Sequence, residues 1–157
     1  MTLWARSTRL PLIVAAPGVT EEGTRTSRPV SFIDLFPTLN ELCDLPPLDS
    51  LEGTSLVPLL KDPNRPWNQP ALITYLLGNH ALCDERYRYI RYADGGEELY
   101  DHTKDPHEWH NLANDPELEG VKRRLSQWLP KKNVLAARAK STGNNTSTKN
   151  AKRKRKK

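Results

Sequence analysis

The sequence predicts an α+β chain: a covered strand and a helix, then a small antiparallel sheet closed by a terminal helix. Three observations carry this. Leu10-Pro11-Leu12-Ile13-Val14-Ala15-Ala16 is continuously apolar and ends at Pro17-Gly18, the pattern of a strand covered on both faces. Phe32, Leu35, Phe36, Leu39 and Leu42 recur at helical spacing. Arg86 to Tyr92 alternates Arg with Tyr, and Asp94-Gly95-Gly96 separates it from Glu97-Glu98-Leu99-Tyr100-Asp101, a hairpin signal.

The apolar strand at 10–16 needs neighbours on both edges, which a short chain has few segments to supply. The helix falls at about 31–43, where Ser31 can cap it and Asp34, three residues on, completes a near capping-box pattern. Pro37 lies inside that pattern and marks a start or restart of the helix. After Pro46-Pro47, the stretch Glu52 to Leu60 reads as a turn and a short helix, and Pro63, Pro66 and Pro70 interrupt regular structure around Trp67. From Ala71 the readings are strands: Ala71 to Leu77, Arg86 to Tyr92 and Glu97 to Asp101. Val121, Leu125, Trp128 and Leu129 line one side of a last helix that Pro130 stops. The expected division is 1–70, 71–130, and a disordered basic tail at 131–157, where almost nothing can be buried.

A length of 157 residues suits one domain or a piece of a larger one. The 24 Lys+Arg exceed the 19 Asp+Glu, but eleven of the basic residues follow Pro130 with no acid among them. The body is therefore acidic and repels phosphate, so nucleic acid is not an expected partner. A small polyanion-binding protein acting through the tail is the competing reading, and its binding would weaken steeply with salt and vanish on tail deletion. Cys43 and Cys83 form no CxxC pair, which argues against a zinc ribbon or redox motif; each is expected as a buried thiol. No apolar run approaches the roughly 20 residues that span a bilayer. The run at 10–16 is also short for a signal peptide, so a membrane is not an expected partner and no compartment follows.

His102, His107 and His110 fall close together, but their spacings match no closed zinc pattern, and of the two Asp-Pro steps, which favour turns, Asp105-Pro106 falls between them and Asp115-Pro116 follows. The expected reading is a structural connection. Asp105 and Asp115 cap turns, and Trp109 and Leu112 pin the segment against the sheet.

The same segment resembles the C-terminal signature of the type I sulfatases, in which ELYD leads through D-P-x-E-x-x-N-L into the last helix. It matches at Glu98, Leu99, Tyr100, Asp101, Asp105, Pro106, Glu108, Asn111 and Leu112. The opening resembles the family's L-W-E-x-x-x-R-x-P-L-I-x-x-x-P-G at Leu3, Trp4, Arg9, Pro11, Leu12, Ile13, Pro17 and Gly18. The helix is similar to D-[IL]-[FY]-P-T-L, from Asp34 to Leu39, and Gly53, Ser55, Leu56, Pro58, Leu59 and Leu60 match G-x-S-[LF]-x-P-L-L. The resemblance runs from about Met1 to Pro130, and the stretch from Gly78 to Asp101 resembles iduronate-2-sulfatase-like or choline-sulfatase-like bacterial members.

This resemblance implies an α+β fragment, the C-terminal portion of an alkaline-phosphatase-like α/β sulfuric ester hydrolase. It implies a formylglycine, made within a C/S-x-P-x-R motif, and a calcium ion for the full-length parent. Neither Cys43 nor Cys83 stands in that motif, so this chain is expected to hold no cofactor, no catalytic residue and no metal, and to be inactive alone. In many members a sulfate-binding Lys precedes L-W-E, at a position just upstream of Met1 here; the Glu of L-W-E is Ala5. The candidate substrate-binding residues are His80 and Asn79, placed by the resemblance on the rim of the cleft. Their partner would be a sulfated small molecule or sugar in the full-length enzyme, which would also need the missing N-terminal part. The competing reading is a His80 satisfied within its own loop. The Arg of Arg86 to Tyr92 are expected on an exposed face, stacked on Tyr.

Overall fold

The computed structural model describes residues 2–134; beyond Val134 the predicted tail lies outside the described residues. Four strands form one antiparallel meander: β1 (Ala71–Thr74), β2 (His80–Cys83), β3 (Tyr87–Arg91) and β4 (Glu97–Asp101), in the order β1-β2-β3-β4. The register sets His80 opposite Arg91 and Tyr89 opposite Leu99. Because side chains alternate along a strand, the sheet has two distinct faces. On one, Leu82, Tyr87, Tyr89 and Leu99 pack with Ala113 and with Leu125 of the closing helix, Glu119–Ser126. On the other, Ala81, Ile90 and Tyr100 pack against Leu3.

The hairpin predicted at Asp94-Gly95-Gly96 is present. Gly95 takes φ 90°, a left-handed conformation that glycine adopts without steric cost, and its N–H donates to the Tyr92 carbonyl at 3.0 Å. The strand predicted from Ala71 to Leu77 ends at Thr74. The chain then turns through Leu76 and Gly78, both at positive φ, into β2. The sequence reading missed β2, whose four residues are too few to display a period.

Among the described residues the helices are α1 (Ala5–Thr8), α2 (Leu35–Leu42), α3 (Val57–Lys61) and α4 (Glu119–Ser126), with 3-10 turns at Phe32–Asp34 and Pro116–Leu118 leading into α2 and α4. The predicted core strand at 10–16 is corrected: the segment belongs to no strand, and Leu10, Leu12 and Ile13 are exposed. A strand exists through its ladder, and β1 to β4 pair only with one another.

The helix predicted at 31–43 is present, with an inverted burial pattern. Its buried residues are Asp34 and Thr38, while Phe32, Phe36 and Leu39 are 67%, 56% and 60% exposed. The polar face is held by specific bonds. The Asp34 carboxylate accepts from the Ser31 N–H at 2.8 Å and the Thr54 N–H at 2.9 Å. The Thr38 hydroxyl donates to the Asp34 carbonyl at 2.5 Å and accepts from the Leu56 N–H at 2.8 Å. Gly53 lies so close to this helix that a Cβ there would run into the Ile33 carbonyl. Two of the motifs noted in the sequence, around Asp34-Thr38 and Gly53-Leu56, are thus two halves of one joint.

Both thiols also differ from expectation. Cys43 caps the exposed end of α2, and Cys83 is only half-buried at the end of β2.

Candidate functional site

The most buried ion pair among the described residues joins the start of the chain to the Asp105–Asn111 turn. Arg88, expected on an exposed face, lies inside it. Position 88 points to the sheet face that Leu3 covers, and the Arg88 and Glu108 side chains are 4% and 3% exposed. Arg88 Nε is 2.7 Å from Glu108 Oε1, an ion contact in which the N–H is not aimed at the oxygen and makes no hydrogen bond. Arg88 Nη1 donates instead to the Leu3 carbonyl at 3.0 Å. Glu108 Oε2 accepts from the Ala5 N–H at 2.8 Å, and Oε1 meets His102 Nε2 at 2.7 Å.

Backbone geometry aims Glu108 inward. It sits at φ 60°, a left-handed conformation costly for a residue with a Cβ. The turn enforces this through the Asp105 carboxylate, which accepts from the Trp109 and His110 N–H groups at 2.7 and 2.8 Å. Burial opposes ionisation of Glu108, but His102, the Ala5 N–H and Arg88 outweigh it and hold its pKa below the usual range. The Cys83 sulfur, acting as an acceptor, and the Glu108 carboxylate favour the protonated imidazole and raise His102 to about 9 against the opposing effect of burial.

A second carboxylate, Glu98, accepts from Trp4 Nε1 at 2.7 Å, Tyr100 Oη at 3.0 Å and Tyr92 Oη at 3.1 Å. Leu3, Trp4 and Ala5 are therefore each fixed separately to the sheet or to the turn beyond it.

The three histidines of the turn diverge. His102 faces inward, His107 stacks on Trp109 with ring centroids 4.9 Å apart, and His110 lies exposed 3.6 Å from Asp105. Trp109 is 76% exposed and does not pin the segment; Leu112 packs against the core as expected. Among the described residues no group of three His, Cys, Asp or Glu is gathered to hold a metal ion, and neither cysteine stands in a C-x-P-x-R context. The residues present do not fit a calcium or formylglycine site.

His80 is buried at the start of β2, with Nδ1 2.9 Å from Thr74 Oγ1 and Nε2 2.8 Å from Asn133 Oδ1. Asn79 holds the preceding turn: its carbonyl accepts from the Tyr75 N–H at 3.0 Å and its Oδ1 from the Ala93 N–H at 3.1 Å. His80 and Asn133 line an open cleft with Arg91, Tyr92 and Ser126. The sequence singles out His80 but not Asn133, since nothing in it connects positions 53 residues apart.

Residues 2–134 match the family model described as N-sulphoglucosamine sulphohydrolase, C-terminal. The chain belongs to this sulfatase family. It is 37% identical over 132 residues to a sulfatase of Formosa agariphila, covering 84% of this chain and 26% of that relative. It is 30% identical to the delta 4,5-hexuronate-2-O-sulfatase of Bacteroides thetaiotaomicron, covering 77% and 27%. Among solved structures, the phosphonate monoester hydrolase of Silicibacter pomeroyi matches 72% of this chain and 26% of its own, at TM-score 0.58 and 25% identity. An enzyme solved with its substrate D-glucosamine-2-N,6-O-disulfate shares the fold, with TM-score 0.52 and 20% identity over 60% of this chain and 22% of its own. The sulfatase chain described here thus carries the C-terminal portion of an alkaline-phosphatase-like fold and spans about a quarter of the length of its curated relatives.

Proposed function

We propose that this chain is the carboxy-terminal part of a sulfatase that hydrolyses sulfate esters of sugars, working with an amino-terminal part that supplies the formylglycine and calcium. The observation that carries the reading is the inverted helix α2. Phe36 and Leu39 of α2, and Phe32 of the turn that leads into it, face outward, and Leu10, Leu12 and Ile13 are exposed as well, on a chain that spans 26% of a relative's length. Apolar surface of this kind is stable when another layer covers it. In this reading residues 1–70 belong to the main α/β layer, 71–130 form the subdomain beside it, and the segment entering Leu3 comes from the sulfate site.

The substrate class is that of the hexuronate-2-O-sulfatase relative, a 2-O-sulfated uronic acid, which agrees with the iduronate-2-sulfatase-like pattern in the sequence. His80 is the substrate-facing candidate, with Asn79 holding its turn. Its Nε2 becomes available to a sulfated sugar when Asn133 swings out of the cleft. A second reading, phosphonate monoester hydrolysis, is favoured by the likeness to the Silicibacter pomeroyi enzyme.

The test is hydrolysis by the natural protein that carries this sequence, assayed on a 2-O-sulfated uronate disaccharide, on 4-nitrophenyl sulfate and on a phosphonate monoester. Release of sulfate from the disaccharide is expected. Turnover of the phosphonate alone would favour the second reading, and turnover of none would end both. The 157 residues alone are expected to release no sulfate.

A further inference from the structure

We propose that Glu108 and Arg88 are positioning residues, a clamp that fixes the main chain of Leu3 to Ala5 in the place that ester hydrolysis requires. The inference rests on the sulfatase reading above, in which the segment entering Leu3 comes from the sulfate site.

Three features separate this arrangement from ordinary packing. Two of its hydrogen bonds go to main-chain atoms, the Leu3 carbonyl and the Ala5 N–H, while a third joins Glu108 to His102, so it holds the backbone of the segment whatever side chains that segment carries. It is built from a buried ion pair, where apolar side chains of similar volume would stabilise the fold as well or better. It also keeps Glu108 at φ 60°, strain that the neighbouring Asp105 bonds sustain. A fold selected for stability alone has little use for strain and buried charge at one point. A device that must hold a backbone to within a fraction of an ångström has use for both. Glu98 adds a further restraint by holding the Trp4 indole. The clamp touches no reacting atom, and its effect passes through the segment it holds.

The test compares Glu108→Ala, Glu108→Gln and the double variant Arg88→Met/Glu108→Met by amide hydrogen exchange on this chain and by kcat and KM for 4-nitrophenyl sulfate in the natural protein. Glu108→Ala should speed exchange at Ala5 by about tenfold or more while Ala81, Tyr89 and Leu99 exchange as before. Gln keeps an acceptor oxygen and should rescue most of the Ala5 protection. The double variant removes both charges together, so it should fold, yet it lacks both main-chain bonds. Its kcat should fall about tenfold or more with KM within about twofold.

An unchanged Ala5 amide would overturn the clamp. Faster exchange at Ala5 with kcat unchanged in the folded double variant would reduce it to an anchor and overturn the positioning role. If the unaltered natural protein turns over no ester, the sulfatase reading fails and takes the positioning role with it, while the exchange data still report whether the clamp holds the segment.

Discussion

The two halves of the chain solve the burial problem in opposite ways. Between Ala71 and Leu129 the sheet and α4 enclose their own core, with Leu82, Tyr89, Leu99 and Leu125 at or near zero exposure. Between Leu10 and Leu48 the polar residues Asp34 and Thr38 are buried, while most of the large apolar ones face out and Leu35 and Leu42 are only half-buried. The first region meets the usual condition for standing alone, and the second presents a surface that fits another layer. A core in the first and an interface in the second predict different responses to the same substitutions.

The largest expected effects lie in the self-contained half. Leu99→Ala or Leu125→Ala removes a fully buried side chain from a closed core and should cost about 2–5 kcal/mol by urea denaturation. Removing one member of the buried pair, Arg88→Met, leaves Glu108 without its guanidinium and should cost on the order of 3 kcal/mol. A loss under about 1 kcal/mol would mean that water reaches the pair. Outside that half, Gly53→Ala drives a methyl group toward the Ile33 carbonyl and should loosen the joint between α2 and the Gly53–Leu56 turn, at about 1–3 kcal/mol.

The pH response comes next. His102 holds its proton to about pH 9 in the folded state, against an ordinary value of 6.5. Its contribution is therefore fully present below pH 6.5 and is lost as pH rises through 9. His102→Gln should flatten the fall in stability across that window, read from denaturation midpoints at pH 6, 7.5 and 9. The smallest effect is the sharpest contrast. Phe36→Ala, chemically as drastic as a core deletion, should move the stability of this chain by no more than about 0.5 kcal/mol. A large loss there would mean that α2 is covered within the chain itself and would remove the distinction between the two halves.

Legibility in the sequence follows the range of the interactions. The hairpin was readable because Asp94-Gly95-Gly96 and the Arg/Tyr alternation act locally, and so was the Ser31–Asp34 bond, which spans three residues. The 10–16 run was read as a buried strand because its composition is that of an interior segment. Composition records what a segment needs, and the ladder that would satisfy it does not form with β1 to β4. Arg88 was placed on an open face because alternation gives the face and not what covers it. Leu3 and Glu108, which cover it, come from positions 85 residues before and 20 residues after. His80 stands out in the sequence as a candidate for binding substrate; in the fold its ring meets Thr74 and Asn133, and Asn133 is invisible beforehand, as tertiary pairs are in a single sequence.

The most direct measurement is the intact mass of the natural product in its source cell, with peptide mapping upstream of Met1. A protein several times larger, carrying a peptide with the C/S-x-P-x-R pattern, is the predicted result, and it would supply the layer that α2 and the 10–16 run lack. A product with the mass of these 157 residues, and no partner polypeptide bearing that pattern, would contradict the account.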